Sequence, residues 1–399
     1  MSRPSKISVI LSLFILTLTA FAQSKPRARD LGVPFDGTPG SNNAITDVKG
    51  VEVGHTTLIS GSGKLVVGKG PVRTGVTAIH PRGKTSNDAV FAAWFTLNGN
   101  GEMTGTTWVD DSGFLNGPVM ITNTHSVGVV RDAVIAWKVK HGGPDMEGYF
   151  WSLPVVAETW DGWLNDINGF HVHPEDAWHA LDVAHTGPVE EGNVGGGTGM
   201  VCNEFKGGIG TSSRVLDAKA GGYTVGVLVQ CNYGRRDQLR IAGVPVGKEI
   251  PEKPAYGDDE TASSRITGKD VGSIIVVVAT DAPLIPTQLK RIAKKVSLGL
   301  GRDGSYSGDG SGDIFLAFST ANPGAVASKG DTKGLHQLNM LPNDSLDPIF
   351  LATVQATEEA VINAMVAAET MKGIDDHEVI ALPHGRLREV LKKYNRLEK

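Results

Sequence analysis

The 399-residue chain has only two cysteines, Cys202 and Cys231. Two cannot build a disulfide framework, which excludes the small stapled scaffolds of secreted proteins. Both lie in apolar surroundings, "MVCNEF" and "LVQCNYG", and one disulfide and two buried thiols both stay open. An excess of positive charge is also missing: 38 Lys and Arg stand against 43 Asp and Glu, a net charge of −5, with the basic residues dispersed. No basic stripe points to nucleic acid or an anionic membrane surface. Beyond the N-terminus no apolar run reaches the length of a membrane span. Two familiar loops are incomplete. "GNVGGGTGM" lacks the Lys and Ser/Thr of a P-loop, and is read as close packing near a substrate groove. Ser212-Ser213 in "GIGTSSR" lacks the G-x-S-x-G of a nucleophile elbow. His171, His173, His179 and His185 cluster in "HVHPEDAWHALDVAH" and are read as surface and capping residues rather than a metal site.

What is present is ordinary for a globular protein with an ample core: 40% hydrophobic and 20% charged residues, with 51 glycines to serve turns. Arg3 and Lys6, the apolar stretch 7–20 and Ala20-Phe21-Ala22 read as an export signal over residues 1–22, with a mature chain from Gln23 in the periplasm or the medium. Short apolar runs ended by Gly, Pro or Asn read as strands, among them "GVEVGHTTL", "GVTAIHP", "AVFAAWFTL", "GPVMITNTHSVGVV", "LPVVAETWDG", "GYTVGVLVQCNYG", "GSIIVVVATDAP" and "GDIFLAFSTANP". Helices are expected over Arg131–Lys140, Pro174–Val183, "PTQLKRIAKKVSLGLGR", "ATEEAVINAMVAAETMKG" and "HGRLREVLKKY". Many strands with a few long helices predict a layered α/β (α+β) sandwich.

One stretch breaks this pattern. Gly247–Asp270 is charged and polar, with Pro251 and Pro254, and reads as a flexible tether. It ends at Gly272-Ser273, where Ile274–Ala279 begins as a β-branched strand buried on both faces. A serine opening such a strand is commonly a turn residue.

The motifs "LNGNGEMTG", "GPVMITNTHSVG", "PVVAETWDGWLND", "GGGTGMVCNEFKGGIGTSSR", "VLVQCNYG", "GSIIVVVATDAPL" and "GSGDIFLAFSTAN", in this order from about Arg29 to about Gly373, resemble the DmpA-type aminopeptidases. That family includes L-aminopeptidase/D-esterases and β-peptidyl aminopeptidases. The resemblance implies a four-layer αββα sandwich, similar to N-terminal nucleophile hydrolases with different connectivity. It also implies self-cleavage between Gly272 and Ser273. The larger chain would be 23–272 and the smaller 273–399, both parts of one domain, assembled as a homo-tetramer of two-chain units.

The same resemblance makes Ser273 the nucleophile. Its freed α-amine, with an ordinary pKa of about 7.7–8.0, can serve as the base. Ser311 is implied to contact the nucleophile and Asp313 to orient the hydroxyl–amine network, two apart at the mouth of a strand. Many β-peptidyl members carry glutamate where this chain has Asp313. Asn232 and the Gly312 N–H are implied oxyanion donors. Glu158 is implied to take the substrate's free amine, with Trp160, tyrosine in many members, lining the pocket. Asp303, Asp309 and Asp313 look like metal ligands, but their spacing does not fit an EF-hand. No metal or cofactor is expected. The reading is an aminopeptidase acting through an ester on Ser273 upon short peptides, amides or esters. Its rivals are an acyltransferase like the self-cleaving ornithine acetyltransferases and a non-catalytic binding protein on the same scaffold.

Overall fold

The computed structural model describes residues 25–141, 151–256, 272–326 and 335–398. The expected export signal, residues 1–22, and residues 257–271 of the expected tether lie outside them. A small sheet has the strand order β1 (Glu52–Ser60), β2 (Val72–His80), β5 (Val119–Asn123), β6 (Val155–Thr159). A large sheet runs β4 (Phe114–Leu115), β3 (Val90–Gly99), β12 (Gly312–Ser319), β11 (Ser273–Thr280), β10 (Thr224–Asn232), β9 (Gly208–Val215). A short hairpin, β7 (Val201–Cys202) and β8 (Phe205–Lys206), stands beside the end of β10.

The central strand β11 explains its own sequence. Ile275, Val277 and Ala279 face the small sheet, packing with Val53, Ile79, Ile121 and Ala157. Ile274, Val276 and Val278 face the helices Pro286–Arg302 and Asp347–Val366, among Leu289, Ile292, Val296 and Ala356. With both faces covered, every residue of the strand is buried, and the run is continuous rather than alternating. β11 and β12 are parallel, which demands a crossover. The helix Pro286–Arg302 supplies it. On the outer face of the small sheet, helices Val127–His141 and Pro174–Asp182 cover Val76, Ala78, Met120 and Val156. The four layers are therefore helices, small sheet, large sheet, helices, as the αββα reading expects.

Several boundaries differ from the sequence reading. The run 117–130 is a strand only to Asn123; the chain then turns into the helix Val127–His141, four residues ahead of the expected start. The last long helix begins at Asp347, nine residues before the expected start, and ends at Val366. It is 20 residues long and apolar enough to cross a membrane by length and composition. It is instead a core helix, buried against β9 and β10.

β9 went unread as a strand because its residues are small and polar, Gly-Ile-Gly-Thr-Ser-Ser. The helix lies directly on it: a Cβ at Gly210 would come within 2.0 Å of the Ala360 carbonyl. The tether also begins later than expected. Val246–Glu249 is a short helix, and Val246, Gly247 and Ile250 are buried. Arg236 donates to the carbonyls of Ile250 and Glu252 at 3.1 Å each, tying the segment down.

Candidate active site

Register alone brings three of the expected residues together. Ser273 pairs with Asn232 on one side and with Gly312 on the other, at one end of the large sheet. By strand alternation the Ser273 and Asn232 side chains face the small sheet, as Ile275 and Leu228 do. The Gly272 carbonyl oxygen accepts two hydrogen bonds there. The Gly312 N–H donates at 3.1 Å and the Ser273 hydroxyl at 2.8 Å. Both glycines are required by close approach. A Cβ on Gly272 would lie 2.3 Å from Tyr233 Cα, and one on Gly312 2.2 Å from the Asn100 carbonyl oxygen.

Asn232 is adjacent but otherwise engaged. Its Oδ1 accepts from the Val201 N–H at 2.8 Å, and its Nδ2 donates to the Trp160 carbonyl at 2.9 Å. That uses one of the two amide hydrogens. The second is left over, and the Gly272 carbonyl takes its hydrogen bonds from Gly312 and Ser273 instead.

Ser311 and Asp313 point the same way, as their spacing predicts: the Ser311 hydroxyl donates to Asp313 Oδ1 at 2.6 Å, and the Ser307 hydroxyl to Oδ2. Both residues are fully buried. Asp313 alternates with Phe315, so it lies on the helix-facing side of β12, opposite to the Ser273 side chain. The implied contact of Ser311 with the nucleophile is not made in the intact chain.

Glu158 ends β6, which packs across from β11. It is 3% exposed. Its Oε1 accepts the Glu102 N–H at 2.9 Å and its Oε2 the Thr124 hydroxyl. Burial raises its pKa, and these hydrogen bonds only partly offset that. No Lys or Arg among the described residues forms an ion pair with it. A Cβ on Gly101 would stand 3.3 Å from Glu158 Oε1 and 3.3 Å from Gly312 Cα, so the absent side chain leaves room between the carboxylate and the backbone donor. Trp160 is 38% exposed, and its indole lies over Gly162, where a Cβ would meet it at 2.6 Å.

Sequence reasoning did not single out Gly101, Glu102 and Thr124, although "LNGNGEMTG" and "ITNTHSVG" carry them. It also missed Asp161. That carboxyl is buried, its Oδ1 accepts from Asn165 Nδ2 at 3.0 Å, and burial pushes its pKa up to about 6.

Cys202 and Cys231 form a disulfide, which closes the alternatives left open above. The histidines are dispersed: His171 bonds Asp166 at 2.8 Å, His179 bonds Thr56 at 3.1 Å, and His173 precedes the helix Pro174–Asp182. No group of His, Cys, Asp or Glu among the described residues has the geometry to hold a metal ion. Gly195–Gly197 is a tight turn wedged between the sheets, where a Cβ on Gly196 would meet Gln230 Oε1 at 2.1 Å, so the glycine-rich loop is close packing.

The pattern of Peptidase family S58 matches residues 43–379. The Beta-peptidyl aminopeptidase BapA of Sphingosinicella microcystinivorans is 56% identical over 396 residues, covering 98% of each chain. That of Sphingosinicella xenopeptidilytica is 50% identical, covering 96% of this chain and 95% of its own. Among solved structures, the L-aminopeptidase D-Ala-esterase/amidase of Ochrobactrum anthropi, described as a prototype for the serine aminopeptidases and a variant of the Ntn hydrolase fold, superposes with a TM-score of 0.84. It is 49% identical, over 94% of this chain and all of that one.

Proposed function

The chain belongs to peptidase family S58 and is an aminopeptidase, and from that premise we propose that it matures by cutting itself between Gly272 and Ser273 and then removes N-terminal residues through an ester on Ser273. The observation that carries this reading is the Gly272 carbonyl, held between the Ser273 hydroxyl and the Gly312 N–H. Attack of Oγ on the Gly272 carbon puts negative charge on an oxygen that already has a backbone donor, the arrangement that stabilises a tetrahedral intermediate. The C–N bond then breaks, the serine nitrogen takes the proton, and water hydrolyses the resulting ester. The products are a Gly272 carboxylate and a Ser273 with a free α-amine.

In the mature enzyme that amine takes the Ser273 proton as the substrate carbonyl is attacked and returns one to the leaving amine. Glu158 receives the substrate's ammonium, the cation its buried carboxylate lacks. Asn232 and the Gly312 N–H hold the oxyanion, Ser311 and Asp313 brace, from its opposite face, the start of β12 that carries this N–H, and Trp160 lines the pocket.

The names of the two relatives point to β-amino residues at the substrate's N-terminus. The space at Gly101 supports this, because a β-residue sets its amine one carbon further from the scissile carbonyl. Export through residues 1–22, a periplasmic or secreted location and a homo-tetramer of two-chain units belong to the same proposal. Family membership as an aminopeptidase leaves neither the acyltransferase nor the non-catalytic scaffold as a rival.

Intact mass and N-terminal sequencing of purified protein, beside Ser273→Ala, provide the test. The expected result is two chains, the smaller beginning Ser-Ile-Ile-Val, with the variant whole. A wild type that stays one chain after long incubation at pH 8 overturns the proposal.

A further inference from the structure

We propose that the Cys202–Cys231 disulfide, with Lys206, is a positioning device for Asn232, holding the amide in the orientation that catalysis uses. The inference rests on the reading of Asn232 as an oxyanion donor. Cys231 immediately precedes Asn232, and Cys202 immediately follows Val201, whose N–H fixes Asn232 Oδ1. The bond joins the hairpin β7–β8 to the penultimate residue of the strand β10 across 5.6 Å between Cα atoms. Both cysteines are fully buried.

The hairpin needs such a link. Its strands are two residues each, and only its turn is tied to the chain just after β10, by the Asn203 N–H to the Tyr233 carbonyl at 2.7 Å and by Arg236 to the Asn203 carbonyl at 3.0 Å among the described residues. Lys206 anchors the other side. It is completely buried, has no carboxylate partner among the described residues, and donates to the carbonyls of Met200 at 2.7 Å and Gly207 at 2.8 Å. The ammonium thus clamps both ends of the hairpin, while the disulfide fixes its middle to the catalytic strand. The consequence for Asn232 is a defined amide. Oδ1 faces an N–H and Nδ2 faces the Trp160 carbonyl, so only one flip satisfies both neighbours. If the hairpin drifts, Val201 leaves and the amide loses its orientation.

A double-mutant cycle on the self-cleaved enzyme separates this from a general structural role. Cys202→Ala/Cys231→Ala, Asn232→Ala and the combination are assayed on an N-terminal β-alanyl amide with a chromogenic leaving group, with kcat expressed per titrated active site. Removing the disulfide is expected to lower kcat about 10- to 100-fold, the size of a misplacement of about 1 Å. KM is expected to hold, and no further loss is expected in the Asn232→Ala background. Self-cleavage is expected to keep its rate, since Gly312 rather than Asn232 holds the Gly272 oxygen.

An equal loss in both backgrounds, no loss in the wild-type background, or an equal slowing of self-cleavage overturns the proposal. An unchanged kcat in Asn232→Ala alone fails the reading of Asn232 itself, a result visible without touching the disulfide. Should the cysteine variant not fold, wild-type and Asn232→Ala enzyme reduced by a phosphine until two thiols titrate give the same comparison.

Discussion

The two sheets contribute to the site in different ways. Ser273, Asn232 and Gly312 come from three neighbouring strands of the large sheet, and their spacing is set by ladder register. Glu158 and Trp160 come from the end of β6, the edge strand of the small sheet. Two hydrogen bonds from loops, the Glu102 N–H and the Thr124 hydroxyl, hold the Glu158 carboxylate, and the Trp160 ring is 38% exposed. The first arrangement fixes the proposed nucleophile and a backbone donor to within the tolerance of a β-ladder. The second presents a buried charge and an exposed ring, which a few substitutions can exchange without disturbing the ladder. The large sheet is therefore suited to the bond-breaking step and the small sheet to the choice of substrate.

The comparison breaks most sharply at Ser273. Ser273→Ala removes the proposed nucleophile of both reactions, and turnover is expected to fall about 10⁴-fold or more. Steady-state assay of the unprocessed variant checks this; a variant that retains more than a few per cent of wild-type kcat contradicts it. Next in size is Gly312→Ala. Its Cβ would overlap the Asn100 carbonyl at 2.2 Å, so the strand must shift and carry its N–H off the Gly272 oxygen. Self-cleavage is expected to slow by about 10²–10³, the worth of one oxyanion donor. A time course of chain separation on a denaturing gel measures it.

On the small sheet the expected signature changes from kcat to KM. Glu158→Gln keeps the shape and one of the two acceptor oxygens but removes the charge proposed to meet the substrate's ammonium. A hydrogen bond to a charged group is worth about 1.5–3 kcal/mol, so KM is expected to rise about 10- to 100-fold with kcat little changed. N-acylated substrates, which lack the ammonium, are the control and are expected to gain nothing from the wild-type carboxylate. If kcat alone falls, Glu158 belongs with the bond-breaking group and the division between the sheets fails.

Legibility followed the same division. The strand β11 was readable because a doubly covered strand announces itself as an unbroken β-branched run, but the run alone leaves its first residue a turn serine, and it is the family resemblance that singles out Ser273 and Gly312. Glu158 was readable as an acid at the end of an apolar strand. What escaped depends on distant partners. The Asn232 amide is set by Val201 and Trp160, 31 and 72 residues away, and no local pattern encodes those bonds. β9 escaped because helix contact at Gly210 selects small residues over β-branched ones. The start of the helix Asp347–Val366 does carry a local signal, Pro348 in its first turn, but the acids at Glu358 and Glu359 resemble a later start. Glu359 is in fact a buried partner of Arg29 and Arg214.

The smallest effect expected is on stability rather than turnover, and it sharpens the contrast between the site and the strands β1 and β2 at the far side of the small sheet. Asp161, beside Trp160, has its pKa pushed by burial to about 6, against an ordinary 3.8. Between these values the folded protein keeps a proton that the unfolded chain releases, so stability falls as pH rises through this window. His55 and His80, on β1 and β2, are held by burial at about 4, against an ordinary 6.5. There the unfolded chain takes up protons that the folded protein refuses, so stability falls as pH drops from about 6.5 to about 4. The two regions therefore pull in opposite directions over nearly the same range. Asp161→Asn removes one pull. Relative to wild type, its Tm is expected to gain a few degrees above pH 6, and the gain to fade toward pH 4. Thermal melts of Asp161→Asn and wild type across pH 4–7 read the difference directly, and a gain independent of pH would mean that the carboxyl does not titrate in this range.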